Sequence, residues 1–126
     1  MYSLPWEDDR KKLPDERDAI TTKITVGSQE LYLIEGLHED GTLGEIFIIL
    51  NKEGSELRIY DCFAIAVSIA LQYGVPLSAF VDKFTNQAFE PSGITNIPAH
   101  PFARSIPDLI FRILSDKYIK KDEQSQ

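Results

Sequence analysis

The stretch LRIYDCFAIAVSIALQYG, residues 57–74, separates two halves of the chain that differ in pattern, and it decides the fold class. After Asp61 its side chains are apolar on nearly every side, and the run is long enough for a helix and too long for a typical strand. A helix that is apolar all round is usually a buried helix, so we expect this segment inside the core. Gly74 is suited to the left-handed residue that commonly follows a helix.

Three strands are predicted before this helix. Residues 21–26, TTKITV, alternate β-branched and polar side chains, and in residues 30–37, ELYLIEGL, the period of two puts Glu35 on the same face as two leucines. Residues 45–50, EIFIIL, are almost continuously apolar, which is typical of a central strand covered on both faces. The Asp-Gly pair at positions 40 and 41 predicts a tight turn between the second and third strands.

Two further helices are predicted after Gly74. Residues 76–84, PLSAFVDKF, begin with a proline, which the first turn of a helix tolerates. Residues 105–119, SIPDLIFRILSDKYI, open with Ser105 as N-cap and Asp108 three positions later, a pair that resembles a capping box. One apolar stripe then follows at helical spacing: Ile106, Leu109, Ile110, Ile113 and Leu114.

The order of strands first and helices second predicts an α+β fold, in which a small antiparallel sheet of about three strands is followed by three helices packed on one face. We expect a single domain over residues 13–119, an extended arm over residues 1–12 and a frayed tail over residues 120–126. Such a sheet has open edges and an uncovered face. Both favour the binding of a second copy, so a homodimer is predicted.

Composition disfavours several classes of function. Of 126 residues, 13 are Lys or Arg and 20 are Asp or Glu, and the net charge of -7 disfavours nucleic acid as a partner. The one cysteine, Cys62, excludes an intramolecular disulfide or a dithiol site and favours a reducing, cytoplasmic compartment. No apolar run is long enough to cross a membrane, and no secretory signal pattern opens the sequence.

The isolated polar residues give little indication of a catalytic or metal-binding site. Cys62 lies within the apolar helix, where a cysteine usually serves as a small buried hydrophobic residue. Asp61 beside it lies too deep in the helix to be a cap, so it is solvated, paired with Arg58, or a polar site residue. Residues 38–41, HEDG, are adjacent in a turn and point apart, so no metal site is expected there.

The stretch FEPSGITNIPAHPF, residues 89–102, begins and ends on phenylalanine, and we expect both rings to insert under neighbouring helices and tether the loop. Two interpretations stay open: a pinned structural loop, or a stiff recognition surface on a rigid scaffold. No motif places a serine or cysteine nucleophile beside His100, so a catalytic triad is not predicted. The candidate interaction residues are Phe89, Glu90, Pro91, Ser92, Gly93, Thr95, Asn96 and His100.

Five motifs resemble, in unbroken order, those of one domain family: RKKLPDERDAITTKI, LHEDGTLGEIFIILNKEGS, ALQYGVPLSAFVDKF, FEPSGITNIP and SIPDLIFRIL. It is the C-terminal, TSCPD-type domain of adenosylcobalamin-dependent (class II) ribonucleotide reductases, and the resemblance runs from about Arg10 to about Tyr118. The chain departs from the family in lacking the string Thr-Ser-Cys-Pro-Asp. In addition, RIYD replaces the residues that often open the main helix, so only Asp61 carries over there.

Reductases of this family use a large barrel, cobalamin and several redox cysteines. A chain with one cysteine and no room for a barrel has none of these, so the resemblance implies no catalytic residue and no cofactor. It implies instead a non-catalytic accessory or interaction domain, here as a small separate protein of bacterial type, whose partner is itself or a reductase catalytic subunit. The alternative is a small-ligand or nucleotide-binding regulator linked to ribonucleotide reduction, with Asp61 or His100 lining its surface.

Overall fold

The computed structural model describes residues 9–50 and 58–119 of the chain. Three strands come first: β1 (Ala19–Val26), β2 (Gln29–Leu37) and β3 (Leu43–Leu50). Two helices and a two-stranded ribbon follow, and a third helix ends the fold: α1 (Ile59–Gln72), α2 (Leu77–Phe84), β4 (Gly93–Ile94), β5 (Phe102–Ala103) and α3 (Ile106–Tyr118). This order confirms the predicted α+β fold, to which the structure adds the small ribbon.

Some predicted features lie outside the described residues. They are residues 1–8 of the arm, the loop at 51–56, the helix start at Leu57 and the tail at 120–126. The last part of the predicted arm is described, and it is attached to the end of α1. Lys11 N donates to Gln72 O at 2.8 Å, and Arg10 Nε donates to Gln72 Oε1 at 2.8 Å.

The three long strands form an antiparallel sheet in the order β1-β2-β3, with β2 in the centre. The predicted Asp-Gly turn between β2 and β3 is confirmed, because Gly41 has φ 85° and His38 N donates to Thr42 O at 2.9 Å. Asp40 Oδ1 accepts a further hydrogen bond from Thr42 N at 3.0 Å. The turn therefore fixes the register of the two strands.

The sheet buries one face and exposes the other. Glu35 shares a face with Leu31 and Leu33, as the period of two predicts, and the structure shows that this is the buried face. Four other apolar residues lie there: Ile24, Val26, Ile46 and Ile48. The predicted burial of the third strand on both faces is wrong, because Phe47 and Ile49 on its outer face are 42% and 48% exposed. The continuous apolar run of β3 therefore combines one core face with one open face.

Helix α3, and not α1, is the most buried helix of the fold. Ser105 caps it as predicted, since Asp108 N donates to Ser105 Oγ at 3.1 Å, and the predicted apolar stripe is buried throughout. Phe111, also in α3, is fully buried. The α2 rings of Phe80 and Phe84 lie with their centroids 6.2 and 5.4 Å from that of Phe111, so aromatic contacts hold α2 on α3.

Helix α1 lies along the outer edge of β3 and is buried along one stripe only. Ser68 Oγ accepts a hydrogen bond from Ile46 N at 2.9 Å, and Gln72 Nε2 donates to Gly44 O at 3.0 Å. These side chains satisfy backbone groups that the edge strand would otherwise leave unpaired. The prediction of a fully buried helix is wrong, since Ile59 is 65% exposed. An apolar sequence does not show how many neighbours a helix will have.

The end of α1 forms the cap that the sequence predicts. Gly74 has φ 96°, and its N–H donates to Leu71 O at 3.0 Å. Val75 N donates to Ala70 O at 3.0 Å. The two hydrogen bonds form a Schellman motif, which turns the chain sharply from α1 into α2.

Candidate functional site

The loop between α2 and α3 contains the interaction residues that the sequence predicts, with the exception of Asp61. Two backbone hydrogen bonds close the loop on itself: Phe89 N donates to Arg104 O at 3.1 Å at its base, and Thr95 N donates to Pro101 O at 2.9 Å nearer its tip. Between these contacts β4 and β5 pair in antiparallel register, and the peptide bond before Pro91 is cis. The loop is therefore a folded ribbon that presents its side chains in a fixed arrangement.

Asn96 attaches this loop to the sheet. Its Oδ1 accepts a hydrogen bond from Thr25 N at 2.8 Å, and its Nδ2 donates to Lys23 O at 2.9 Å. An amide side chain offers both a donor and an acceptor, so Asn96 pairs with the edge of β1 much as a neighbouring strand does. Gly27 N adds a hydrogen bond to Ile94 O at 2.9 Å. The prediction of open sheet edges is therefore wrong at these positions of β1 and at the positions of β3 that α1 covers.

Two glycines allow the loop to approach the turn between β1 and β2. Gly93 has φ 134° and Gly27 has φ 60°. A Cβ atom on Gly93 would lie 3.3 Å from Gly27 Cα, and one on Gly27 would lie 2.8 Å from Ser92 O. Both the left-handed backbone and the close approach favour glycine, so a side chain at either position would disturb the attachment of the loop.

Other polar residues of the loop bond mainly to the loop itself and to α3. The two carboxylate oxygens of Glu90 accept hydrogen bonds from Ser92 N and Ser92 Oγ, both at 3.0 Å. Thr95 Oγ1 donates to His100 O at 2.5 Å. His100 Nε2 pairs with Asp116 Oδ2 at 2.6 Å and so connects the far end of the loop to α3. These hydrogen bonds shape the loop, and they support the interpretation of a pinned loop.

The phenylalanines at the two ends of the loop are exposed. Phe89 is 48% and Phe102 is 60% exposed, so the prediction that both rings insert under helices is wrong. The hydrogen bonds described above hold the loop instead. Ile94, which lies opposite Phe102 in the ribbon, is 76% exposed, and Ile59 at the start of α1 is 65% exposed. We call Ile59, Phe89, Ile94 and Phe102 the loop surface.

Two open cavities connect three members of the loop surface, Ile59, Phe89 and Phe102. Phe89 and Phe102 line a cavity of about 450 Å³ together with Arg104. Phe89 and Ile59 line a second cavity of about 290 Å³, whose other walls are mainly aromatic. Exposed apolar surfaces with concave parts are typical of sites that bind proteins or ligands. The sequence did not indicate that Ile59 and Ile94 are exposed, because an apolar residue in a sequence does not show whether another element covers it. Only the pairing of β4 with β5 reveals the position of Ile94.

Asp108 organises the base of the loop, in a role that the sequence predicts only in part. Its carboxylate accepts hydrogen bonds from Arg104 N at 3.0 Å, Asn86 N at 2.6 Å and Arg112 Nε at 2.8 Å. Burial by itself raises the pKa of this carboxyl group, but the three hydrogen bonds outweigh burial, and the pKa of Asp108 lies below its ordinary value. The charged group therefore fixes the end of α2 against the start of α3.

A second buried carboxylate lies away from the loop. Glu35 is fully buried and accepts hydrogen bonds from Lys117 Nζ at 2.8 Å and from Tyr118 OH at 2.6 Å. Burial first, and then the hydrogen bond to Glu35, raises the pKa of the Tyr118 hydroxyl group. Both carboxylate oxygens have a partner, so this cluster attaches the end of α3 to the sheet. The sequence places Glu35 on one face with Leu31 and Leu33 but gives no signal for its two partners.

The other polar candidates remain isolated. Asp61 is exposed in the first turn of α1, and the predicted burial of Cys62 is wrong because it lies outside the one buried stripe of that helix. Within residues 9–50 and 58–119, no group of three or more His, Cys, Asp or Glu side chains could hold a metal ion. No helix in the described part of the chain is long and apolar enough to cross a membrane.

Comparison with known proteins gives one consistent result. The TSCPD domain family matches residues 6–118. The chain is 47% identical over 117 residues to a vitamin B12-dependent ribonucleotide reductase of Streptantibioticus cattleyicolor, a match that covers 92% of this chain and 20% of that protein. A reductase of the same name from Rhodopirellula baltica is 43% identical over 126 residues, covering 99% of this chain and 12% of that protein. No solved structure matches the chain.

These matches confirm the resemblance that the sequence motifs indicate. The chain spans between 9% and 20% of the length of the curated relatives that it matches, so they contain much that this chain does not. The family match covers all the described strands and helices, from β1 to α3. The chain therefore belongs to the TSCPD domain family and is related to the C-terminal part of vitamin B12-dependent ribonucleotide reductases.

Proposed function

We propose that this chain is a non-catalytic domain that binds the catalytic part of a vitamin B12-dependent ribonucleotide reductase through the loop surface. The observation that carries this proposal is the set of four large apolar side chains, between 48% and 76% exposed, on or beside a loop that hydrogen bonds attach to β1 and to α3. A surface that is already rigid binds without the entropy cost of ordering a loop. Exposed aromatic side chains are also among the strongest contributors to protein interfaces.

Family membership supports the choice of partner. In the relatives, the part that matches this chain is a small fraction of a single reductase chain. The matching domain is therefore covalently joined there to the remainder of the enzyme. An apolar surface that contacts such a remainder is exposed when the domain is seen by itself, as the loop surface is here.

The proposal assigns no catalytic role to the buried polar groups. Glu35 and Asp108 have their carboxylate oxygens occupied by hydrogen bonds, and the His100 ring is paired with Asp116. A general base or an activated nucleophile needs to reach a substrate, whereas these groups hold elements of the fold together. We also propose a cytoplasmic location, which the single cysteine supports.

Co-purification tests this proposal. A tagged form of the chain is mixed with a vitamin B12-dependent ribonucleotide reductase from which the matching C-terminal part has been removed, and circular dichroism first establishes that both proteins are folded. We expect the tagged chain to retain the reductase and the Phe89→Ser variant to lose it. A buried aromatic anchor typically contributes about 2 kcal/mol or more to binding, which is enough to abolish retention in a wash.

The matched control is Ile49→Lys, on the outer face of the sheet. Ile49 and Phe89 are both 48% exposed, so the two substitutions remove similar amounts of apolar surface from different places. The Ile49→Lys variant should retain the reductase. Failure of the wild-type chain to retain it would refute the proposal, and loss of retention in Ile49→Lys alone would place the contact on the sheet instead.

A nucleotide-binding regulator is the second candidate, supported by the cavity of about 450 Å³. Phe89 and Phe102 offer rings on which a base can stack, and Arg104 offers a cation for a phosphate group. Asp61 and His100, which were expected beside such a ligand, do not line this cavity. Thermal-shift titrations with nucleotides and with cobalamins test this candidate. A nucleotide-dependent rise in melting temperature that Arg104→Ala abolishes would support it, and the absence of any rise would exclude it.

A further inference from the structure

The outer face of the sheet carries a second apolar surface, separate from the loop surface. The strand register places Ile34 directly opposite Phe47, and Tyr32 directly opposite Ile49, on the face that points away from the core. Phe47 and Ile49 are 42% and 48% exposed, and Tyr32 and Ile34 are half-buried. We call these four residues the sheet surface. Adjacent apolar cross-strand pairs that are this exposed favour association with another molecule.

Association through the edges of the sheet is obstructed. On β3, Ser68 and Gln72 of α1 occupy the backbone groups of Ile46 and Gly44. On β1, Asn96 occupies the N–H group of Thr25 and the carbonyl group of Lys23. An added strand would have to break these hydrogen bonds before forming its own. Stacking of one sheet face on another needs no such exchange.

Among the described residues, two ion pairs lie at opposite ends of the sheet surface. Lys23 Nζ lies 3.1 Å from Glu30 Oε1 at one corner, and Arg17 forms an ion pair with Glu45 at the opposite end. The whole chain has a net charge of -7, so two copies repel each other at most orientations. Each of these two ion pairs is neutral, and the Glu45 carboxylate is itself buried, so neither pair repels a second copy that approaches this face.

The size of the face sets the strength of the contact. The three strands lie about 4.8 Å apart, and each has four side chains on this face, spaced about 6.8 Å apart along the strand. The face therefore has an area of roughly 400 Å². A standard specific interface buries about 800 Å² per partner, so stacking through this face alone gives a weak complex. We propose that a second copy of this chain stacks on the sheet surface and forms a homodimer with a dissociation constant in the micromolar range. This proposal does not rest on the loop surface or on the reductase.

Sedimentation equilibrium across about 1–500 µM protein tests the proposal, because this range spans the expected dissociation constant. The wild-type chain should change from monomer to dimer within it. Phe47→Lys and Ile49→Lys should each raise the dissociation constant at least about tenfold, because two charges would then meet across the two-fold axis or lie buried beside it. Both positions are half-exposed, so the two variants should fold, which circular dichroism verifies. If one variant fails to fold, the dissociation constant of the other variant tests the proposal.

The control is Ile94→Lys, which changes an exposed residue of the loop surface. Ile94 is 76% exposed, and its replacement should leave the dissociation constant of the dimer unchanged. A wild-type chain that stays monomeric over the whole range would overturn the proposal. So would a dimer that tolerates the folded lysine variants of the sheet surface, or one that Ile94→Lys dissociates, since either result would place the contact elsewhere.

Discussion

Replacing Ser68 with alanine should leave part of the β3 edge without a partner inside the core. Ser68 is 8% exposed, and its Oγ accepts a hydrogen bond from Ile46 N at 2.9 Å. The same hydroxyl group can donate to Ala64 O at 2.7 Å or to Ile46 O at 3.1 Å. Because it carries one proton, it donates to one carbonyl group at a time, whereas it accepts from Ile46 continuously.

The expected loss follows from these contacts. Without the hydroxyl group, the buried N–H group of Ile46 has no acceptor, which costs about 1–3 kcal/mol. Alanine has a higher helix propensity than serine, which offsets about 0.5 kcal/mol of this cost. We expect the free energy of unfolding of Ser68→Ala to be about 0.5–2.5 kcal/mol lower than that of the wild-type chain. The corresponding fall in melting temperature is about 2–9 °C for a domain of this size.

Urea unfolding followed by far-ultraviolet circular dichroism measures this difference as a shift of the midpoint at constant slope. Ser78→Ala in α2 is the matched control, because Ser78 is exposed. Its free energy of unfolding should change by less than about 0.5 kcal/mol. If Ser68→Ala has the same urea midpoint as the wild-type chain, then α1 does not stabilise the β3 edge through this side chain.

Three further predictions concern charge and backbone. Lys117→Met removes one partner of the buried Glu35, so it should lower the free energy of unfolding, measured by urea titration, by about 1–3 kcal/mol. An unchanged urea midpoint would contradict a stabilising ion pair. Gly93 has φ 134° and a new Cβ there would lie 3.3 Å from backbone, whereas Gly41 has φ 85° and open space around it. Gly93→Ala should therefore lower the melting temperature more than Gly41→Ala does. Equal losses by calorimetry would show that the close approach is unimportant. Folding lowers the pKa of Asp108, so its charge stabilises the fold above the unfolded pKa of about 4, and this contribution is lost as the pH falls through the lower folded value. Asp108→Asn should therefore reduce stability at neutral pH and flatten the dependence of melting temperature on acid pH, and a parallel dependence in both proteins would count against this assignment.

The sequence predicts what depends on close neighbours along the chain. The period of two places Glu35 on the same face as Leu31 and Leu33, the Asp-Gly pair forms its turn, and Ser105 caps α3 with Asp108. Each of these features is decided by a few adjacent residues. Gly74 ends α1 for the same reason, since only the last turn of the helix and the next residue determine the cap.

The features that the sequence does not predict depend on contacts between distant parts of the chain. Lys117 reaches Glu35 and Asn96 reaches the edge of β1 only once the fold brings α3 and the loop to the sheet. The exposure of Cys62 and Phe102 has the same origin, because an apolar side chain in a sequence does not reveal whether another element will cover it. The loop is attached to the rest of the fold, but by Asn96 and His100 and not by the two phenylalanines that the sequence suggested.

The most direct test of the proposed function is the dissociation constant between this chain and the catalytic part of a vitamin B12-dependent ribonucleotide reductase, measured by isothermal titration calorimetry. We expect saturable binding by the wild-type chain and a dissociation constant at least about tenfold higher for Phe102→Ser, whose ring is 60% exposed on the loop surface. No heat of binding from the wild-type chain, or equal affinity of a correctly folded Phe102→Ser variant, would contradict a role for this surface in holding a reductase.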